Sequence, residues 1–152
     1  MTTIAYKDKH IASDSKISDY DSMSATYMTK IFKISTSPSQ TYLAGIVGDM
    51  YTGLIFLKWF QTGDQESKEL LRGLSEDYAF EAMIVNEEGD IFVYNNFLEP
   101  LKLGKLPFYA LGSGAKIAMA LLDYGATIEA TIAYARKYDM NTGGDIHVLS
   151  FN

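Results

Sequence analysis

Met1-Thr2-Thr3-Ile4-Ala5-Tyr6 opens the chain, and the reading of this stretch decides the fold. Removal of Met1 leaves a strand-like segment whose first residue is a threonine. Such a residue carries a hydroxyl nucleophile and a free α-amino base on one Cα. A Met-Thr start alone means little; the blocks that follow give it weight. They are Ile11-Ala12-Ser13-Asp14-Ser15, Thr29-Lys30-Ile31, Leu43-Ala44-Gly45-Ile46, Leu111-Gly112-Ser113-Gly114 and Asp139-Met140-Asn141-Thr142-Gly143-Gly144.

The chain around these blocks has 152 residues, a length that suits one domain, 1–152, with a sizeable core. Hydrophobic residues make up 47% and charged residues 21%, which excludes a disordered chain. The net charge of −6 disfavours a nucleic-acid partner, because such affinity rests on Lys and Arg at phosphates. With no cysteine, disulfides, cysteine nucleophiles and thiolate metal sites are excluded. Lys7, Asp8 and Lys9 interrupt any signal-peptide core, and the longest apolar run, Leu54 to Phe60, contains Lys58 and is too short to span a membrane. The expectation is a cytoplasmic protein without a membrane partner.

Thr2–Tyr6 and His10–Ser13 read as strands about a Lys7-Asp8-Lys9 turn. Ser15–Ala25 is polar and reads as a loop, Tyr27–Ile34 as a strand pair, Ser35–Gln40 as a turn and Tyr42–Val47 as a buried strand. Asp49 can cap a helix that runs to Thr62, where Gly63 stops it. Ser67–Leu74 predicts a shorter helix. Phe80–Asn86 and Ile91–Tyr94 flank Glu87-Glu88-Gly89-Asp90, a hairpin signal. Leu106–Leu111 predicts a strand, Ala115–Tyr124 and Thr127–Tyr138 predict helices, and Asp145–Phe151 a last strand. On the final helix Ile128, Thr131, Ile132 and Ala135 form an i, i+3, i+4, i+7 stripe. Strands, two helices, strands, two helices and a strand predict an α+β fold: a four-layer α-β-β-α sandwich of two antiparallel sheets between helix pairs.

In this order and at these spacings the six blocks resemble the proteasome β-subunit family of N-terminal-nucleophile hydrolases, over nearly the whole chain. The resemblance implies a threonine-type endopeptidase with Thr2 as nucleophile and its own amine as base. Lys30 is the implied cation beside Thr2, and Asp14 its partner. Gly45 matches the glycine whose N–H stabilises the oxyanion. Ser113 matches the serine that positions the amine and a water, and Asp139 and Thr142 belong to Asp-x-x-Thr-Gly-Gly, where the family has Asp-x-x-Ser-Gly-Gly. Ser18 matches a position that holds extended peptide through main-chain hydrogen bonds. Ile17, Met28, Val47 and Tyr51 would lie near the pocket for the residue preceding the cut and favour an uncharged side chain there. No metal or organic cofactor is implied.

Taken singly, the same residues have plainer readings: a solvated strand-end aspartate, a surface lysine, a packing glycine at Gly45, a helix N-cap at Ser113 and a glycine turn at Gly143-Gly144. A phosphate loop at Gly112-Ser113-Gly114 is excluded because the required Lys-Ser/Thr is missing. His10 and His147 read as satisfied strand residues, and Glu87-Glu88 as solvated.

The absence of a long propeptide resembles HslV-type bacterial subunits, whereas the Asp-x-x-Thr-Gly-Gly block is closer to proteasomal ones. The chain is trimmed mainly between Gly63 and Tyr78. The almost wholly apolar Asp49–Thr62 helix predicts self-association, as a closed homo-oligomeric ring and two such rings stacked face to face. The resemblance implies a peptide or unfolded-protein substrate and admits an ATP-dependent unfoldase, although no docking motif or long C-terminal tail for one stands in these residues. Two other functions remain open on the same scaffold: a non-catalytic ring or interaction protein in which Met1 is retained and blocks the amine, and a small-molecule amidase.

Overall fold

The computed structural model describes residues 2–18 and 25–152, with Ser18 and Ala25 described as backbone only; Met1, whose removal the sequence reading requires for a free Thr2 amine, lies outside the described residues. The first strands are β1 (Thr3–Lys7), β2 (His10–Ser13), β3 (Lys16–Ser18), β4 (Ala25–Tyr27), β5 (Ile31–Ser37) and β6 (Gln40–Gly48). Helices α1 (Met50–Thr62) and α2 (Gln65–Arg72) follow, then β7 (Phe80–Asn86), β8 (Asp90–Tyr94), β9 (Leu101–Lys105) and β10 (Phe108–Gly112). Helices α3 (Ala115–Tyr124) and α4 (Ile128–Tyr138) lead into β11 (His147–Ser150).

Alternation along β1 and β2 determines the layers. Ile4, Tyr6 and Ile11 point to one face of the sheet β10-β1-β2-β11 and meet Leu43, Val47, Met83, Val85 and Ile91 of the antiparallel sheet β5-β6-β7-β8-β9. Ala5 and Ala12 point to the other face and meet Leu122, Ile128 and Ile132 of α3 and α4. The outer face of the five-stranded sheet, through Ala44, Ile46, Ala82 and Ile84, packs on Phe56 and Leu57 of α1 and Leu71 of α2. Gly53 is what lets α1 lie so close: a Cβ there would stand 2.2 Å from Ile46 Cγ2. The predicted four-layer α-β-β-α sandwich is the observed architecture.

Local signals account for most boundaries. The Asp49 carboxylate accepts from the Thr52 N–H at 2.8 Å and its hydroxyl at 2.6 Å, and Gly63 closes α1 in the left-handed region. Such a cap is worth about 0.5–2 kcal/mol. The second helix begins two residues earlier than predicted because Asp64 caps it; Ser67 donates to Asp64 through N–H and hydroxyl. The strand at Ile31 continues to Ser37, across a bulge between Ser35 and Ser37, through residues predicted as a turn. Lys16–Ser18 and Ala25–Tyr27, in or beside the predicted loop, pair as a hairpin, and residues 19–24 lie outside the described residues. β9 was not foreseen. On α1, Tyr51 is 76% and Leu54 39% exposed, so part of the apolar surface stays uncovered within one chain.

Candidate active site

Sheet order puts Thr2 between two strand ends. It precedes β1, with β10 on one flank and β2 on the other. On the β10 flank, Gly112 has φ +99°, and a Cβ there would lie 1.7 Å from the Thr2 carbonyl oxygen. Only glycine lets the chain pass so close.

On the β2 flank stands Asp14, fully buried just past the strand. Its Oδ1 accepts from Thr3 N–H at 3.2 Å and from Lys30 Nζ at 3.0 Å, and its Oδ2 from the N–H groups of Lys16 at 3.3 Å and Gly143 at 2.9 Å. Lys30, just ahead of β5, is equally buried and donates to Asp14, to Thr2 Oγ1 and to the Lys16 carbonyl. Three donors meet three acceptors, which satisfies an ammonium completely. Burial pushes the Lys30 ammonium below its ordinary pKa, while Asp14 acts in the opposite direction. The plainer reading of Lys30 as a surface lysine is therefore overturned.

A second network adjoins the first. Asp139 Oδ2 accepts from Ser113 Oγ at 2.5 Å and from Thr142 Oγ1 at 2.6 Å, and Thr142 Oγ1 lies 2.7 Å from Thr3 Oγ1. Burial raises the Asp139 carboxyl, but the hydrogen bonds from Ser113, Thr142 and the Asn141 N–H outweigh it and hold the group below the usual carboxylate range. An ionised carboxylate only accepts, so Thr142 must donate to it and receive its own hydrogen bond from Thr3. The protons therefore run Thr3 to Thr142 to Asp139. Thr3 is the functional residue the sequence reading missed: its N–H holds Asp14 and its hydroxyl holds the chain to Asp139. The doublet Thr2-Thr3 was the available signal.

Gly45 is placed otherwise than the resemblance implies. It lies opposite Ile31 on β5 and Met83 on β7, and a Cβ there would meet Ile4 Cγ2 at 2.6 Å. Ile46 N–H bonds the Lys30 carbonyl and Asp49 N–H bonds the Ala79 carbonyl. Alternation in an antiparallel ladder then turns the Gly45 N–H toward β7, away from Thr2. By the same alternation the Gly48 N–H points away from β7, past the end of β5 on the Lys30 side, and Gly48 has φ +89°.

Of the predicted substrate residues, only Ile17 and Met28 share a cluster. Ile17 and Met28 pack against the core under α1, Tyr51 is exposed on the first turn of α1, and Val47 belongs to the inter-sheet core. Val47 alone of these lines a cavity of about 360 Å³ beside Thr2, together with Gly48, Ala79, Phe80, Glu81, Gly112 and Ser113. Ser18 ends β3, and its side chain lies outside the description. His10 is satisfied through Asp8, but His147 Nδ1 is buried without a partner among the described residues, contrary to expectation. Among the described residues no cluster of three His, Asp or Glu could hold a metal, and no helix is long and apolar enough to cross a membrane.

This is the fold of the proteasome-like N-terminal-nucleophile hydrolases. Anbu (ancestral beta-subunit) from Yersinia bercovieri superposes with a TM-score of 0.72 at 12% identity, over 98% of this chain and 81% of that one. Eukaryotic HslV from Trypanosoma brucei gives 0.64 at 14% identity over 98% of both chains. The BPH structure from Thiobacillus denitrificans gives 0.66 at 20% identity over 99% of this chain and 98% of that one. No family sequence model and no curated protein sequence matches the chain.

Proposed function

We propose that the protein is a threonine-type endopeptidase that acts once Met1 is removed. The observation that carries this reading is the hydrogen bond from the buried Lys30 ammonium to Thr2 Oγ1, with Asp14 buried behind it. In the reaction Thr2 Oγ attacks the scissile carbonyl and its proton passes to the Thr2 amine. Lys30 lowers the pKa of that amine through its positive charge and keeps the hydroxyl in place. The Gly48 N–H takes the oxyanion role that the resemblance gave to Gly45. Collapse breaks the C–N bond, the Thr2 ammonium returns the proton to the departing amine, and water then hydrolyses the acyl ester. Ser113, held by Asp139, orients the amine and that water.

The substrate is a peptide or unfolded chain, and the single domain works in the cytoplasm within a closed homo-oligomer. The exposed Tyr51 and Leu54 on α1 support self-association. Intact-mass measurement of the purified protein, paired with hydrolysis of fluorogenic peptide amides by wild type and Thr2→Ala, tests the reading. The expected result is a processed terminus, activity in wild type and none in the variant. A retained Met1, or full activity in Thr2→Ala, refutes it in favour of the non-catalytic scaffold or of another nucleophile.

A further inference from the structure

The cavity beside Thr2 has one charged wall. Among the described residues, Glu81 is its only ionisable lining residue, no basic side chain lines it, and Glu81 forms no ion pair. The remaining walls are Val47 and Ala79 and the backbones of Gly48, Phe80 and Gly112, with Ser113 following Gly112. Val47 and Glu81 are cross-strand partners, so their side chains share the face that looks toward β10.

The cavity's place relative to Thr2 says which part of a substrate reaches it. Thr2 has Lys30, Asp14 and the β3–β4 hairpin on the β2 flank, and Gly112 and Ser113 on the β10 flank. A substrate whose carbonyl lies on Thr2 Oγ has one half over each flank. When the C–N bond breaks, the departing nitrogen takes its proton from the Thr2 amine, which in the mechanism proposed above Ser113 orients, and Ser113 directly follows β10. The leaving half therefore lies on the β10 flank, over the cavity.

Resting on the peptidase reading above, we infer that this cavity binds the side chain of the residue that follows the cut, and that Glu81 selects a basic one. A volume of about 360 Å³ admits one long side chain. Lysine and arginine fit the lining, because an aliphatic stem can lie along Val47 and Ala79 while the charged end reaches a carboxylate at the rim. An acidic side chain would meet Glu81 with like charge.

The test compares peptides with one acyl half and a leaving residue of lysine, norleucine or glutamate. The kcat/KM ratio is taken within each of wild type, Glu81→Gln and Glu81→Lys, so that each variant is its own reference. Wild type is expected to prefer lysine over norleucine roughly fivefold at low salt, the upper range for an exposed ion pair, with the preference shrinking as salt is added. Glu81→Gln brings the ratio near one, and Glu81→Lys turns the preference toward glutamate. Equal ratios in all three proteins overturn the assignment. Binding of lysinamide and norleucinamide to wild type and Glu81→Gln, followed by NMR, separates this idea from the catalytic one. If no peptide is cut but lysinamide binds more tightly than norleucinamide only while Glu81 is present, the cation site stands and the peptidase reading falls. If peptides are cut and neither measurement depends on Glu81, the cation site falls alone; no cleavage and no Glu81-dependent binding removes both.

Discussion

Replacing Thr3 by valine deletes one hydroxyl and little else, because valine keeps the branched shape and the strand preference of threonine. Thr3 is fully buried, Thr142 is 3% exposed, and their oxygens lie 2.7 Å apart. The variant leaves Thr142 still donating to Asp139 but with its accepting side empty in a dry site. Half-emptying a buried hydroxyl belongs in the lower part of the range for an orphaned group, about 1–2 kcal/mol. For a chain of this length each kcal/mol moves Tm by roughly 2–4 °C, so a fall of about 2–8 °C is expected. Thr3→Ser keeps the donor and should lie much nearer wild type. Thermal unfolding at one fixed protein concentration measures this, the concentration being held because assembly would shift Tm by mass action. A double-mutant cycle with Thr142→Val should give a coupling of at least about 0.5 kcal/mol, as expected of contacting groups. Equal Tm values for wild type and Thr3→Val, or a serine variant as damaged as the valine one, would refute the directed chain from Thr3 to Asp139.

Gly112→Ala should displace Thr2, since its Cβ would stand 1.7 Å from the Thr2 carbonyl oxygen; peptide hydrolysis should fall on the order of 10²-fold, the effect of a misplacement near 1 Å. Gly45→Ala should instead destabilise the fold by about 1–3 kcal/mol of overpacking against Ile4, read as a lowered Tm, while activity per folded molecule survives; loss of kcat at unchanged stability would restore the oxyanion role to Gly45. Lys30→Met should destabilise by about 3 kcal/mol, the lower end for a buried charge deprived of its partner, because three backbone N–H groups still hold Asp14, and urea titration reads it. Asp139 has a depressed folded pKa, so its contribution to stability is present above the ordinary carboxylate value and lost as pH falls through the lower folded one. Asp139→Asn should accordingly flatten the acid end of a stability-versus-pH curve.

Much of this was legible in the chain because the signals are local. The span Ala115–Tyr124 was read to the residue because Gly125 ends that helix in a left-handed turn, which needs no tertiary knowledge. Ile128, Thr131, Ile132 and Ala135 are all buried, as their spacing required. What escaped depends on distant partners. β9 is an exposed edge strand with lysines at Lys102 and Lys105, and it exists because β8 offers it a ladder. Thr3 acquires its role from Thr142, 139 residues away. The direction of the Gly45 N–H follows from two hydrogen bonds of neighbours, Ile46 to Lys30 and Asp49 to Ala79, and spacing along the sequence cannot reveal it.

The buried pair also bears on whether the fold is used for chemistry or only for assembly. Removing Lys30 and Asp14 from water costs several kcal/mol per ion before their attraction is counted, and apolar residues of like volume would often serve stability as well or better. A chain selected only to stack into rings would gain nothing from holding an ammonium against a threonine hydroxyl at the end of its first strand. The exposed apolar surface that supports assembly lies on α1, at Tyr51 and Leu54, whereas the buried charges lie just past β2 and just ahead of β5. Assembly and the charged site can therefore be perturbed separately. Charged substitutions at Tyr51 and Leu54 should break the oligomer, as read by light scattering, without altering the Lys30–Asp14 contact. If peptide hydrolysis by such a protomer persists, the site is complete within one chain and the proposed ring would serve to restrict access. If it disappears while the fold is retained, the neighbouring subunit completes the site.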